Sequence, residues 1–240
     1  MSDGWILAFD TATRATAVAL SGPGGQRLEA RDDPPPEARP RHAGKLLVLC
    51  AEVLDRAGIT FAALERLAVG VGPGTFTGLR IGVATARALA STIPVPLVGV
   101  STLESLALNA LAHPGFDAAF AVLDARRREA FVAAWRVGDG EALGHALVRP
   151  AAVSPEELGD RVRELGLAGL AVGEGAIAFR EVLERSGAFV PDDDSELHRV
   201  SAVNHCYLAG DLEPVDPDRV APEYLRLPDA ELARRAADPQ

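Results

Sequence analysis

Cysteine is nearly absent. The chain has two in 240 residues, Cys50 and Cys206, each inside a helical pattern and far from the other. That excludes a disulfide framework and a cysteine-based zinc site. Reduced thiols in a cytoplasmic setting are the expected state. Positive charge is also short: 24 Lys and Arg face 34 Asp and Glu, a net charge of −10. Such a surface repels a phosphate backbone, so a partner would have to bring the basic surface for nucleic acid. Nothing nears the ~18 apolar residues of a membrane span. MSDGWILAFD carries Asp3 and too short an apolar run for a signal peptide. The five histidines (His42, His113, His145, His198 and His205) include no H-E-x-x-H or H-x-x-x-H pair. With no Cys or carboxylate cluster beside them, no protein-made metal site is expected. A G-x-S-x-G elbow is missing, which removes the serine-hydrolase signal.

What is present is ordinary for a globular protein: 48% hydrophobic and 24% charged residues. The length allows roughly one to two domains and a core that needs no disulfide or metal. Strands are predicted at 5–10, 15–21 and 26–31, with TATR turning the first hairpin. DDPPPEARPR (32–41) is a loop. A helix follows over 42–58, stopping at Gly58. Then come a strand at 67–71, a Gly-rich loop, a helix to about 91, a strand at 95–100 and a helix over 101–112. The second half repeats the order. A hairpin at 118–125 and 129–137 turns at RRR, and a third strand is predicted at 142–149. A helix over 154–166 has a Ser154/Glu157 capping box, and a strand within 167–175 leads to a helix over 176–187. VSAVNHCYLAG (200–210) is a closing helix, and 227–240 is a polar tail. Two such α/β lobes, each a mixed sheet flanked by helices, make an actin-like fold. The divisions are 1–105, 106–205 and a closing segment 206–240 that packs back on the first lobe.

GPGTFTGLRIG (72–82) sits where phosphate loops sit, between a strand and a helix. It is not a P-loop. G-x-x-x-x-G-K-[ST] would need glycine and then lysine where the chain has Thr77 and Gly78. The G-x-G-x-x-G fingerprint fails at Thr77. A tight turn with close helix packing remains, as does the launch of an interface helix. Gly78, Gly82, Ala86 and Ala90 fall on one helical face, and a mid-helix Gly costs roughly 1 kcal/mol against Ala. Close approach of another backbone would justify that cost, within the chain or across a subunit boundary. The helix at 42–57 is apolar nearly all round, with Lys45, Glu52 and Arg56 as its polar stripe, so it needs cover on two sides. A partner interface is therefore expected from His42, Leu46, Leu47, Leu49, Cys50, Val53, Leu54, Gly78, Leu79, Gly82, Val83 and Ala86. In DTAT (10–13), Asp10, Thr11 and Thr13 suit nucleotide contact, since Asp holds a cation and hydroxyls meet phosphate. An Asx/ST turn is the bland alternative. DARRRE (124–129) is a basic turn, either a solvated hairpin tip or a contact to an acidic partner or RNA.

Five blocks carry a resemblance: ILAFDTATRATAVAL (6–20), RHAGKLL (41–47), GVGPGTFTGLRIGVATARALA (70–90), LDARRREAF (123–131) and PEYLRLPDA (222–230). Together they resemble the TsaB (YeaZ) family, with the GPG-[ST]-FTGLRIG block the most specific. The resemblance implies a role in threonylcarbamoyladenosine synthesis in tRNA, as the non-catalytic paralogue of the transferase TsaD. TsaD carries a metal-binding histidine pair on the helix matching 42–57; here that spacing reads His42 and Leu46. It also implies a TsaD heterodimer through the helices at 42–57 and 77–91, with the ATPase TsaE joining and tRNA met only through the complex. No cofactor is expected to bind tightly; ATP or ADP with magnesium belongs at most to the complex. A homodimer through the same helices is expected of the chain alone. The rival readings are a stand-alone actin-like ATPase or phosphotransferase and, more remotely, an M22-type metallopeptidase.

Overall fold

The computed structural model describes residues 4–138 and 142–226. The predicted polar tail at 227–240 and the end of the PEYLRLPDA block lie outside the described residues. The first lobe is built on strands β1 (Trp5–Asp10), β2 (Thr16–Ser21), β3 (Arg27–Asp32), β4 (Leu64–Gly72) and β5 (Leu97–Ser101), in the order β3-β2-β1-β4-β5. The β1–β2–β3 run is antiparallel, whereas β4 and β5 join parallel. The central strand is buried from Ile6 to Asp10, which is why it reads as an unbroken apolar run rather than an alternating one. Helices α1 (His42–Ala57) and α2 (Phe76–Thr92) cover one face of this sheet. There Leu46, Leu49, Cys50 and Val53 pack with Leu7, Phe9, Val18 and Leu20. Gly58, at φ 69°, closes α1, a left-handed cap that favours glycine. The expected helix over 101–112 is shorter: α3 (Thr102–Ala107) gives way to a 3₁₀ stretch at Leu108–Ala112.

The second lobe repeats the order with β6 (Ala118–Arg126), β7 (Glu129–Val137), β8 (Leu143–Val153), β9 (Gly169–Val172) and β10 (Ala188–Phe189). Its strands run β10-β9-β6-β7-β8. Between β8 and β9 lies α4 (Pro155–Leu165), opened by the reciprocal Ser154–Glu157 capping box. The expected single helix over 176–187 is instead two short ones, α5 (Glu174–Ala178) and α6 (Arg180–Arg185). The break is at Phe179, whose φ −112° and ψ 22° are not helical.

The two lobes exchange helices. α3 follows the first sheet in the chain, yet Leu103 and Leu106 pack on Ala119, Leu123, Phe131 and Leu170 of the second. Helix α7 (Ala202–Asp211) follows the second sheet, yet Ala202, Cys206 and Ala209 pack on Ile6, Ala8, Ala19 and Val98 of the first. Residues 212–226 then run back across the first lobe and reach the second. Val215 N–H bonds Leu97 O and Glu223 N–H bonds Val71 O (2.7 Å). The Arg87 guanidinium holds the carbonyls of Asp218 and Val220. At the far end Arg226 pairs with Glu129 of β7 at 2.6 Å. The architecture is the two-lobed α/β arrangement of the actin-like fold.

Candidate functional site

The Gly-rich loop and α2 receive the DTAT turn of the first hairpin. Thr75 N–H donates to Ala12 O at 2.7 Å, and Thr11 Oγ1 donates to Gly78 O at 2.7 Å. A Cβ at Gly78 would lie 2.0 Å from Thr11 O, and one at Gly82 would lie 2.4 Å from Thr11 Oγ1. The backbone approach that the glycine spacing calls for therefore comes from the chain's own turn. This corrects the expectation that Gly78 and Gly82 open α2 to a partner helix.

Asp10 is buried and fully engaged. Its carboxylate accepts Ala12 N–H (2.7 Å) and the Thr102 hydroxyl (2.7 Å), and lies 3.0 Å from His205 Nε2. His205 Nδ1 in turn meets Ser105 Oγ at 2.8 Å. Gly70 leaves the space: a Cβ there would sit 1.9 Å from the carboxylate. Burial pushes the Asp10 pKa up. The His205 hydrogen bond and charge, then the Thr102 hydroxyl and the Ala12 N–H, outweigh it and hold the carboxyl below its ordinary value. One network thus ties β1 to α3 and α7. The Thr102, Ser105 and His205 partners were not legible beforehand, because each is an ordinary polar residue within a helical pattern.

Of the twelve residues expected at a partner interface, only Leu47 is exposed. His42, Leu46, Leu49, Cys50, Val53, Leu54, Gly78, Leu79, Gly82, Val83 and Ala86 are all buried. Most of the bulky ones belong to the first lobe's core. His42 sits 2.8 Å from Thr16 Oγ1 through Nδ1, and burial lowers its pKa. The outward face of α1 is instead Ala43, Gly44, Leu47, Val48 and Ala51, followed by Glu52, Asp55 and Arg56, and on the neighbouring α2 Ala84 and Ala88 are exposed. Leu47 is 52% and Val48 58% exposed. The near-absence of charge round α1 is the signal for this second face, but it does not say which residues of the helix turn to the chain's own sheet.

Thr13 lines a cleft between the lobes of about 230 Å³, with Arg14, Arg31, Asp33, Glu174, Asp193, Asp194 and Arg199. That is below the roughly 300–1,000 Å³ of ordinary ligand pockets. Its arginines are occupied: Arg14 by the carbonyls of Pro35, Pro36 and Ala38, Arg31 by Asp33 and Val200 O, Arg199 by Glu196. Burial raises the Glu174 pKa, with Arg126 opposing it. Four carboxylates line the cleft, and Asp10 and Thr11 are buried, turned to Thr102, His205 and Gly78 O. At the cleft's edge the β6–β7 hairpin turns through Arg126, Arg127 and Arg128 at φ 64°, 53° and 63°. Left-handed conformation costs a side-chain-bearing residue roughly 1–2 kcal/mol.

A family model described as "TsaD: tRNA N6-adenosine threonylcarbamoyltransferase" matches residues 34–204. The tRNA threonylcarbamoyladenosine biosynthesis protein TsaB of Escherichia coli is 31% identical, over 92% of this chain and 94% of its own. The chain belongs to the TsaB (YeaZ) family. The Bacillus subtilis TsaB protein is 25% identical over 94% of this chain and 96% of its own. YeaZ from Pseudomonas aeruginosa superposes with a TM-score of 0.75 at 27% identity, covering 92% of this chain and all of that one. The family likeness thus spans both lobes.

Proposed function

We propose that the chain works in the synthesis of threonylcarbamoyladenosine in tRNA as a non-catalytic subunit, docking on the transferase TsaD through the outward face of α1 and α2. The observation that carries this is the exposed apolar stripe of Gly44, Leu47, Val48 and Ala51 on α1, with Ala84 and Ala88 exposed on the neighbouring α2. Such a stripe on a charged surface marks an interaction site. The family model that matches this chain is that of the transferase, so a paralogue with the matching pair of helices is the natural occupant. A stable interface of this kind buries on the order of 1,600 Å². TsaE joins the assembled pair, and any ATP or ADP with magnesium belongs to the complex, since Asp10 and Thr11 face inward. The purified chain is expected to hydrolyse no ATP.

The test is complex mass. The chain and the TsaD of the same source should form a heterodimer. Leu47→Asp with Val48→Asp should weaken it at least about a hundredfold, because each buried aliphatic side chain is worth ~1.5–3 kcal/mol. Absence of any complex with the unaltered chain, or full affinity in the double variant, overturns the reading. Alone, the chain should pair with itself through the same stripe, and the double variant should be monomeric.

A further inference from the structure

We propose that the arginine turn of the β6–β7 hairpin, with the end of the C-terminal segment, is a contact surface for the sugar-phosphate backbone of RNA. This rests on the tRNA role proposed above and assigns the chain its own part in holding that substrate. The turn is a two-residue loop, with Arg127 and Arg128 inside the Arg126–Glu129 pair. Two-residue hairpins of this left-handed type prefer Asn-Gly. Here three successive arginines occupy left-handed backbone and all three are exposed. The turn type demands positive φ at its two central residues, and side-chain-bearing residues held in such a conformation cluster at functional sites. Asp124 accepts both the Arg126 N–H (2.8 Å) and its guanidinium (3.0 Å), and so fixes the base of the turn.

The surroundings extend the surface. Glu129 takes Arg226 at 2.6 Å. Two residues back, Tyr224 packs at a tilt of 34° against Phe76, with ring centroids 5.4 Å apart. The Arg80 guanidinium lies 3.6 Å over the Phe76 ring and donates to the Tyr224 hydroxyl. Tyr224 is 40% exposed. Arginines interleaved with an accessible aromatic ring are what single-stranded RNA takes, phosphates on the guanidiniums and bases on the ring. Arg80, Arg126, Arg127, Arg128 and Arg226 stand here against Asp124, Glu129, Glu174 and Glu223, in a chain of net charge −10. An acidic whole with one positive edge binds RNA only weakly by itself, so this edge adds to the grip of an assembled complex. The arginine turn itself lies on the second lobe, on a different element from the α1–α2 stripe, whereas Phe76 and Arg80 share α2 with it.

The experiment replaces the turn by the residues that its backbone favours. Arg127→Asn with Arg128→Gly removes two guanidiniums and relieves the strained conformation, so the melting temperature should hold or rise. The chain and TsaD are mixed, complex mass is confirmed, and binding of an unmodified tRNA transcript is followed by fluorescence anisotropy from about 50 to 200 mM salt. The double variant should bind about tenfold or more weakly. Its slope of log affinity against log salt should be shallower by about 0.7–0.9 for each phosphate that the variant no longer neutralises. Unchanged affinity and slope in an intact complex overturn the proposal. So does a variant that keeps its tRNA affinity but fails to reach complex mass, which would make the turn a protein contact. If the unaltered pair forms no complex, the docking proposal fails by itself. The same titration on the chain alone then decides the turn: a salt-dependent affinity that disappears in the variant sustains it, and no difference sinks it.

Discussion

At the scale of the residue, single atoms decide what the glycines and Asp10 do. Gly82→Ala should lower the melting temperature by about 2–12 °C, since overpacking costs about 1–3 kcal/mol. The new Cβ would meet Thr11 Oγ1 at 2.4 Å. Thr11→Ala in the same chain should restore part of the loss, because the next nearest atom is 3.6 Å away. Calorimetry on the two variants checks both; an unshifted melt in Gly82→Ala would refute the close approach. Asp10 gives a pH dependence. Its folded pKa lies below the unfolded value, so its stabilisation is present above the unfolded value and is lost as pH falls through the folded one. Asp10→Asn should cost on the order of 3–5 kcal/mol at pH 7 and flatten the decline in stability on acidification below about pH 4. An equally steep acid limb in the variant would remove Asp10 from that role. The four-residue period of Gly78, Gly82 and Ala86 was legible as close approach. The identity of the approaching segment was not, because the period describes a surface and Thr11 lies far upstream.

At the scale of the element, α1 shows what a sequence can and cannot assign. One charge between positions 46 and 54 made two covers a necessity, and the structure supplies one from Leu7, Phe9, Val18 and Leu20. The helical period turns Leu46, Leu49, Cys50, Val53 and Leu54 to the chain's own sheet. The same period leaves Gly44, Leu47, Val48 and Ala51 outside. Leu47→Asp with Val48→Asp should accordingly leave the melting temperature nearly unmoved while it abolishes self-pairing. A variant that unfolds would show these side chains serving the core. Strands were legible where alternation or an unbroken apolar run marked them, as in β1 and β6. β10 was not, since its two residues carry no period. The split of α5 from α6 was hidden too, because Phe179 breaks the helix through its backbone and not through a Gly or Pro.

At the scale of the whole molecule, the two lobes were readable as a repeated order of elements, but their interlocking was not: nothing in the helical pattern of 102–107 says which sheet it will cover. The interlocking predicts how the chain behaves when cut. A break in the exposed stretch at 113–115 should leave two pieces that stay together, each holding the helix that covers the other's sheet. Fragments ending at 113 and starting at 114 should be insoluble separately and soluble when co-expressed. Independent solubility of either would contradict the mutual cover. The same interlocking sets an order in time. A ribosome adding ~5–20 residues per second finishes β5 and then works for roughly 5–20 s before α7 emerges. Throughout that interval the face of the first sheet formed by Ile6, Ala8, Ala19 and Val98 has no lid. The first lobe is translated first and completed last, and a nascent chain of this design depends on whatever guards that sheet until its final helix arrives.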